Sequence, residues 1–109
     1  MILRALQFAV VAIYLAGCAA AHYYERQADR VTFYLRAPEA RGVAFASSLD
    51  AYSPHLASKV NDSRWAFSVA AGSEFRYFYI VDGAVYVPEC QLYEKDDFGS
   101  RNCVYVPEK

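Results

Sequence analysis

Residues 75–87 read FRYFYIVDGAVYV, and this stretch decides the fold class. Aromatic and β-branched side chains alternate through Phe75–Val81 with a period of two, which is typical of a half-buried strand. The dipeptide Asp82-Gly83 then separates this run from a second β-rich run, residues 84–87. Asp-Gly in this position favours a two-residue hairpin, because both turn residues adopt a positive φ. The stretch therefore predicts two antiparallel strands, the second ended by Pro88.

The same period of two recurs on both sides of this hairpin. Further strands with one apolar face are predicted over residues 31–36, 43–46, 65–69 and 103–106. Residues 47–62 and 93–101 lack a clear period and are interpreted as loops, and residues 71–73 as a turn. Six or seven strands without a convincing helix predict an all-β fold, an immunoglobulin-like antiparallel β-sandwich.

The first 21 residues have a different composition from the rest of the chain. Residues 6–21 carry no charged side chain, and Arg4 is the only base before them. The apolar run of residues 6–15 is too short to span a bilayer comfortably and is typical of the apolar region of a signal peptide. We therefore predict an exported protein, whose remaining 90 or so residues have room for one small domain.

The sequence Leu15-Ala16-Gly17-Cys18 resembles the lipobox of bacterial lipoproteins. The resemblance implies that residues 1–17 are a lipoprotein signal peptide and that Cys18 becomes an acylated N-terminus in the cell envelope. Ala19 in place of an aspartate favours delivery to the outer membrane, if the host has one. The alternatives are a plain secretory peptide cut near Ala20 or Ala21 and an uncleaved membrane anchor. Residues 18–28 are interpreted as a tether, and residues 29–109 as the folded domain.

Three cysteines are an odd number for an exported protein. If Cys18 carries lipid, Cys90 and Cys103 remain as a pair, and an oxidising compartment favours a disulfide between them. The alternative is two free, buried thiols.

Several classes of function have little support in the sequence. The chain holds 11 basic and 12 acidic residues, which argues against binding of nucleic acid by phosphate neutralisation. No catalytic arrangement surrounds His55, and neither His22 nor His55 has the spacing of a zinc ligand, so we predict no enzyme, cofactor or metal site. The acidic residues 94–97 are interpreted as a solvated charged loop rather than as a carboxylate pair or calcium loop.

Aromatic residues in or beside the predicted loops suggest a surface that stacks on sugar rings. A pyranose presents a face of C–H groups, for which an aromatic ring is a flat apolar partner. Tyr52, Tyr86, Tyr93 and Phe98 occupy such positions, and Asp50 and Asn102 offer polar groups for the sugar hydroxyls. The alternative for each tyrosine is a purely structural role at the edge of the sandwich.

A resemblance to a known family covers most of the domain, from about Val31 to Val106. VTFYLRAPEA (residues 31–40) and VAFASSLDAY (43–52) resemble the opening of carbohydrate-binding module family 48, which includes glycogen-binding domains and the N-terminal domains of isoamylases. Trp65 matches the strand tryptophan of the family, and YFYIVDG (77–83) resembles its hairpin. DDFGSRN (96–102), followed by a valine-rich strand, resembles its C-terminal end. The family fold is an immunoglobulin-like sandwich.

The resemblance also implies a set of binding residues. Tyr52 matches the stacking tryptophan of one family loop, with Tyr86 as the possible replacement for a second tryptophan near Val85. Three further contacts near the C-terminus match Phe98, Ser100 and Asn102. The sequence differs from the family at Phe78, where the hairpin strand has a lysine, and at Leu49-Asp50, where the loop has Phe-Asn.

Two functions follow as expectations. The first is non-catalytic binding of an α-glucan or a related envelope saccharide. The second is an envelope lipoprotein that binds a protein partner through the same aromatic surface, with a vestigial saccharide site.

Overall fold

The structure, a computed structural model, describes residues 21–107. These residues form ten strands and one short 3-10 helix, Ser48–Asp50, between β3 and β4. The strands are β1 His22–Gln27, β2 Arg30–Arg36, β3 Val43–Ser47, β4 His55–Leu56, β5 Ser58–Lys59, β6 Arg64–Ala70, β7 Phe75–Val81, β8 Ala84–Tyr86, β9 Tyr93–Lys95 and β10 Arg101–Tyr105. The signal peptide predicted over residues 1–17 and the acylation site Cys18 lie outside the described residues.

Two antiparallel sheets form a sandwich, which confirms the predicted all-β class. The four-stranded sheet has the order β1-β2-β6-β5. In the six-stranded sheet the order is β4-β3-β7-β10-β9, with β8 paired to β7. Alternate residues of each long strand face between the sheets, where fully buried aromatic rings from both sheets make up much of the core: Phe33, Phe45, Phe75, Tyr77, Tyr79 and Tyr105. Both sheets, the buried core between them and the disulfide are formed by residues of this described segment.

The central hairpin has the predicted geometry. Asp82 and Gly83 have φ values of 49° and 83°, and β7 pairs with β8 across them. The side chain of Asp82 also fastens the neighbouring β2–β3 connection, because its Oδ1 accepts hydrogen bonds from the backbone N–H groups of Arg41 and Gly42 at 2.8 and 2.9 Å. One turn residue therefore joins two connections at the same end of the sandwich.

The tether predicted over residues 18–28 requires a correction, because six of its residues, His22–Gln27, form β1. This strand pairs with β2 over its whole length, from His22 opposite Leu35 to Gln27 opposite Arg30. Its inward positions carry His22 and Tyr24, whose rings contact Phe33. A strand with such polar inward side chains shows no apolar stripe, and the sequence pattern therefore missed it.

The two predicted loops also contain strands. Within residues 47–62 the chain forms the 3-10 helix and the two-residue strands β4 and β5. Within residues 93–101, β9 pairs with β10, which begins at Arg101, two residues earlier than predicted. These edge strands are two or three residues long, too short for an alternating pattern, and their partners lie elsewhere in the chain.

Candidate functional site

Tyr52 is presented by a strained turn after β3. Ala51 and Tyr52 both have left-handed backbone conformations, with φ values of 59° and 65°. Such conformations cost non-glycine residues on the order of 1 kcal/mol each and persist only where the surroundings hold them. Here the N–H of Tyr52 donates to the carbonyl of Ser47 at 2.7 Å, and the Ser47 hydroxyl accepts from the N–H of Leu49.

Contacts to both sheets fix this turn. The Ser48 hydroxyl accepts a hydrogen bond from the backbone N–H of Arg76 on β7 at 3.0 Å. The side chains of Asp50 and His55 are hydrogen-bonded, and the His55 ring stacks on Phe67 of the opposite sheet at a centroid distance of 5.6 Å. The position of Tyr52 is therefore set before any ligand binds.

The ring of Tyr52 stacks on Phe78, with centroids 5.5 Å apart and an interplanar angle of 16°. Phe78 projects from the outer face of the six-stranded sheet, because its neighbours Tyr77 and Tyr79 face the core. Tyr52 keeps 36% of its surface exposed. Two parallel rings thus lie together on the outside of the sandwich.

A fork in the sheet opens beside Phe78. On one side β7 pairs with β3 over Tyr77–Val81 without interruption. On the other side it pairs with β10 over Phe75–Tyr77 and with β8 over Tyr79–Val81. Phe78 lies between the two partners. An open depression of about 460 Å³ occupies the gap, lined by Phe78, Val85, Val87, Asp96, Ser100, Arg101 and Asn102.

The turn between β9 and β10 carries the polar wall of this depression. The Oδ1 atom of Asp96 accepts hydrogen bonds from the N–H groups of Phe98 and Ser100 at 2.8 and 2.9 Å, and Gly99 supplies a φ of 85°. Ser100 and Asn102 therefore reach the depression from an ordered turn. Two predicted site residues, Ser100 and Asn102, thus lie with Phe78 around this depression. We give the name outer face to the surface that consists of Tyr52, Phe78, Ser100, Asn102, Leu56, Ile80 and Val85.

Two predicted site residues lie elsewhere. Tyr86 is directly opposite Tyr79 in the β7–β8 register and shares its core-facing side, whereas Val85, opposite Ile80, belongs to the outer face. The register therefore does not bring Tyr86 to Tyr52. Phe98 is 94% exposed in the β9–β10 turn and is not among the residues that line the depression.

Phe78 is the residue that sequence reasoning missed. The alternation in β7 places Phe78 on the side opposite Tyr77 and Tyr79, but the sequence comparison treats it only as a difference from the lysine of the family that the chain resembles. What makes Phe78 central is the fork between β8 and β10, which depends on pairings of residues far apart in the chain. A period-two pattern contains no signal for such a fork.

The predicted disulfide between Cys90 and Cys103 is confirmed, with their Cα atoms 5.8 Å apart. Tyr93 holds the loop between the two cysteines next to the disulfide. Its hydroxyl accepts a hydrogen bond from the N–H of Cys90 at 2.7 Å and donates one to the carbonyl of Pro88 at 3.1 Å. The guanidinium of Arg101 lies 4.4 Å from the centroid of the Tyr93 ring. The loop that carries Ser100 and Asn102 is thus closed covalently and packed on its own aromatic residue.

A second depression, of about 560 Å³, lies near the disulfide and includes His22, Tyr24, Tyr77 and Cys90 in its lining. Burial lowers the pKa of His22 to about 4, an effect that a hydrogen bond to the backbone of Glu89 only partly offsets. Burial also raises the pKa of the Tyr77 hydroxyl, which lies 3.4 Å from Nε2 of His22. These groups are neutral at neutral pH.

Neither a membrane-spanning helix nor a metal-binding group is found in the described part of the chain. No helix between residues 21 and 107 is long and apolar enough to cross a bilayer. The His, Cys, Asp and Glu side chains of the same residues form no cluster of three or more that could hold a metal ion. Comparison with protein-family models and with curated proteins found no match to the chain.

Proposed function

We propose that this protein is a lipid-anchored module of the cell envelope that binds an α-glucan or a related saccharide, without catalysis, on the outer face of its six-stranded sheet. The observation that carries the proposal is the placement of Tyr52. It is an exposed aromatic ring on a strained, multiply hydrogen-bonded turn, stacked on Phe78 beside the depression lined by Ser100 and Asn102. Strained conformations of this kind are concentrated at functional sites.

The chemistry of the outer face suits a sugar chain. The C–H face of one pyranose would pack on the ring of Tyr52, and the next sugar would extend over Phe78 into the fork. There the hydroxyl of Ser100 and the side-chain amide of Asn102 offer donors and acceptors to sugar hydroxyls. The resemblance of residues 31–106 to carbohydrate-binding module family 48 supports the same assignment.

Attachment to the envelope follows from the lipobox-like residues 15–18. Acyl chains on Cys18 would contribute about 0.8 kcal/mol per buried CH₂, so several chains make the attachment effectively permanent. In a host with an outer membrane, Ala19 after the cysteine favours that membrane. The module would then hold a saccharide at the membrane surface.

One observation favours a second candidate, binding of a protein partner. The outer face continues into exposed apolar side chains, with Leu56 83% and Val85 67% exposed. Exposed apolar surface that is contiguous with a binding face is typical of protein interaction sites. In this case Tyr52 and Phe78 would pack on side chains of the partner instead of on sugar rings.

Retention of the purified chain, residues 19–109, on immobilised glycogen, amylose and β-cyclodextrin tests the first proposal. Loss of the stacking contact in Tyr52→Ala is expected to weaken binding by up to about tenfold, since contacts of aromatic rings contribute about 0.5–1.5 kcal/mol. Tyr86→Ala is the matched control, because Tyr86 is similarly exposed, at 42%, but lies on the core-facing side of the sheet. It should bind as the unchanged protein does.

Two results would overturn the saccharide proposal. One is that the unchanged protein binds none of these glucans. The other is that Tyr52→Ala and Tyr86→Ala weaken binding equally while both remain folded. If, in addition, the unchanged chain recovers one defined envelope protein and the Leu56→Asp variant does not, the second candidate is favoured.

A further inference from the structure

Two arginines lie directly opposite each other on the four-stranded sheet. Arg36, the last residue of β2, pairs in register with Arg64, the first residue of β6, and both are exposed on the outer side of that sheet. Like charges in directly opposed positions destabilise a sheet unless another group compensates them. An anion bound between the two guanidinium groups would remove this repulsion.

Neither guanidinium finds a carboxylate among residues 21–107. The ion pairs in that part of the chain join Asp50 to His55, and Arg76 to Glu74 and Glu94. The contact described for the side chain of Arg64 is with an aromatic ring: its guanidinium lies 5.4 Å from the centroid of Tyr23. The two positive charges are thus uncompensated within the described domain.

Two tyrosines adjoin the arginine pair on the same side of the sheet. Tyr23 and Tyr34 are opposite each other in the β1–β2 register, and their rings stack with centroids 4.9 Å apart and an interplanar angle of 19°. Tyrosine is enriched at membrane–water interfaces, where the ring is in contact with apolar groups and the hydroxyl with water. We call Tyr23, Tyr34, Arg36 and Arg64 the basic end of the sandwich.

The basic end is also where the chain leaves toward the predicted anchor. The backbone N–H of Arg36 donates to the carbonyl of Ala21 at 2.8 Å, which fixes Ala21 beside the pair. Cys18 precedes Ala21 by three residues, and an extended chain of that length reaches at most about 11 Å. Acyl chains on Cys18 would therefore hold the basic end at the level of the lipid headgroups.

We infer that the basic end binds the phosphate of an anionic phospholipid headgroup, which orients the sandwich on the membrane that anchors it. Guanidinium groups bind phosphate oxygens through paired, charge-assisted hydrogen bonds, and two of them facing one anion remove their mutual repulsion. The position of the site next to the membrane rests on the anchor proposed above. The saccharide-binding outer face belongs to the other sheet and is directed away from this contact.

The test uses residues 19–109 without lipid, since the described segment carries its own core and disulfide. Trp65, the only tryptophan of the chain, follows Arg64 directly and serves as an energy-transfer donor to vesicles with dansyl-labelled headgroups. We expect transfer with vesicles of phosphatidylcholine containing 30 mol% phosphatidylglycerol as a chosen test composition, and little transfer with phosphatidylcholine alone. Added salt should weaken it.

Substitutions locate the site. Arg36→Gln and Arg64→Gln should each lower partitioning onto the anionic vesicles about fivefold, the equivalent of about 1 kcal/mol for one basic residue at a membrane surface. Arg30→Gln is the matched control: it removes the same charge from the same strand, six residues or about 20 Å away. Arg30 has a partner of its own, the carbonyl of Ser68 at 3.0 Å. Partitioning of this variant should be unchanged.

Three outcomes would overturn the inference. They are transfer that does not depend on phosphatidylglycerol, equal losses in all three variants, and calorimetric binding of inorganic phosphate with no transfer to vesicles, which would assign the pair to a soluble anion. Because the test chain carries no lipid and glucan retention is measured separately, none of these results depends on acylation of Cys18 or on saccharide binding.

Discussion

At the scale of single residues, His22 shows how position changes the chemistry of a side chain. It is the first residue of β1, and its ring lies among aromatic rings of both sheets, with centroids 5.7 Å from Tyr77 and 5.5 Å from Tyr79. An apolar environment disfavours the charged imidazolium, and the pKa of His22 is lowered to about 4. Its role is that of a neutral packing residue.

This burial predicts a pH-dependent stability. Above pH 6.5 His22 is neutral in both the folded and the unfolded chain. As the pH falls from 6.5 toward 4, only the unfolded chain gains the proton, so the free energy of unfolding should decrease by about 1–3 kcal/mol and then show no further loss from this group. Urea denaturation at several pH values measures it.

His22→Phe is the control for this titration, because it keeps a ring in the same packing position without a titratable group. The difference in stability between the unchanged protein and the variant should grow in favour of the variant as the pH falls through this window. Contributions from side chains that both proteins share cancel in this difference. A difference that does not vary with pH would show that His22 is not buried as a neutral ring.

Single residues also show what sequence reasoning could and could not reach. The resemblance identified Tyr52, Ser100 and Asn102, and the structure brings these residues to one face around Phe78. It also suggested Tyr86, but the face of that residue depends on which residue of β7 it opposes. Because side chains alternate, a shift of one position in register moves a residue to the other side of the sheet.

At the scale of elements, the strands that the sequence predicted are those whose signal is local. β7 has a clear alternation and β8 follows it across a two-residue turn, so both are determined within thirteen residues. By contrast β1 and β9 are polar edge strands whose existence depends on β2 and β10 as partners. Their residues have no apolar stripe, and pairing with a distant strand is not visible as a period.

The loop between Cys90 and Cys103 is the element whose stability depends most on a single bond. Closing a loop of this length should stabilise the fold by roughly 3 kcal/mol through the entropy of the unfolded chain. Reduction is therefore expected to lower the melting temperature on the order of 10 °C. Calorimetry with and without reductant measures the shift.

Cys90→Ser/Cys103→Ser is the matched variant for this experiment. It should melt near the temperature of the reduced protein and be insensitive to reductant. The loop also carries Ser100 and Asn102, so both treatments should weaken glucan binding if the proposed site is correct. An unchanged melting temperature under reduction, together with two titratable thiols in the native protein, would contradict the bond.

At the scale of the whole molecule, β1 connects the fold with the proposed anchor. If residues 18–28 were a flexible tether, the sandwich would lie some distance from the lipid and rotate freely. Because β1 starts at His22 and pairs through Gln27, only two residues, Ala19 and Ala20, lie between Cys18 and the hydrogen-bonded Ala21. The proposed closeness of the basic end to a membrane, and with it the outward direction of the proposed saccharide-binding face, depends on this strand.

The whole-molecule prediction is that a chain that begins at residue 29, the domain boundary expected from the sequence, will be strongly destabilised. Without β1, the backbone of β2 becomes an open edge, and the ring of Tyr24 no longer covers Phe33 and Tyr105. Loss of the half-buried His22 ring and of the Tyr24 ring, which is 43% exposed, removes about 2 kcal/mol of burial in addition to the strand pairing, a large part of the stability of a small domain. Urea denaturation of purified chains measures the loss.

A chain that begins at His22 is the control and should be nearly as stable as residues 19–109, because it keeps all six residue pairs of the β1–β2 ladder. Equal stability of the chains that begin at residues 22 and 29 would show that the fold does not need β1. Residues 22–27 would then belong to the tether, and the sandwich could rotate on the proposed anchor.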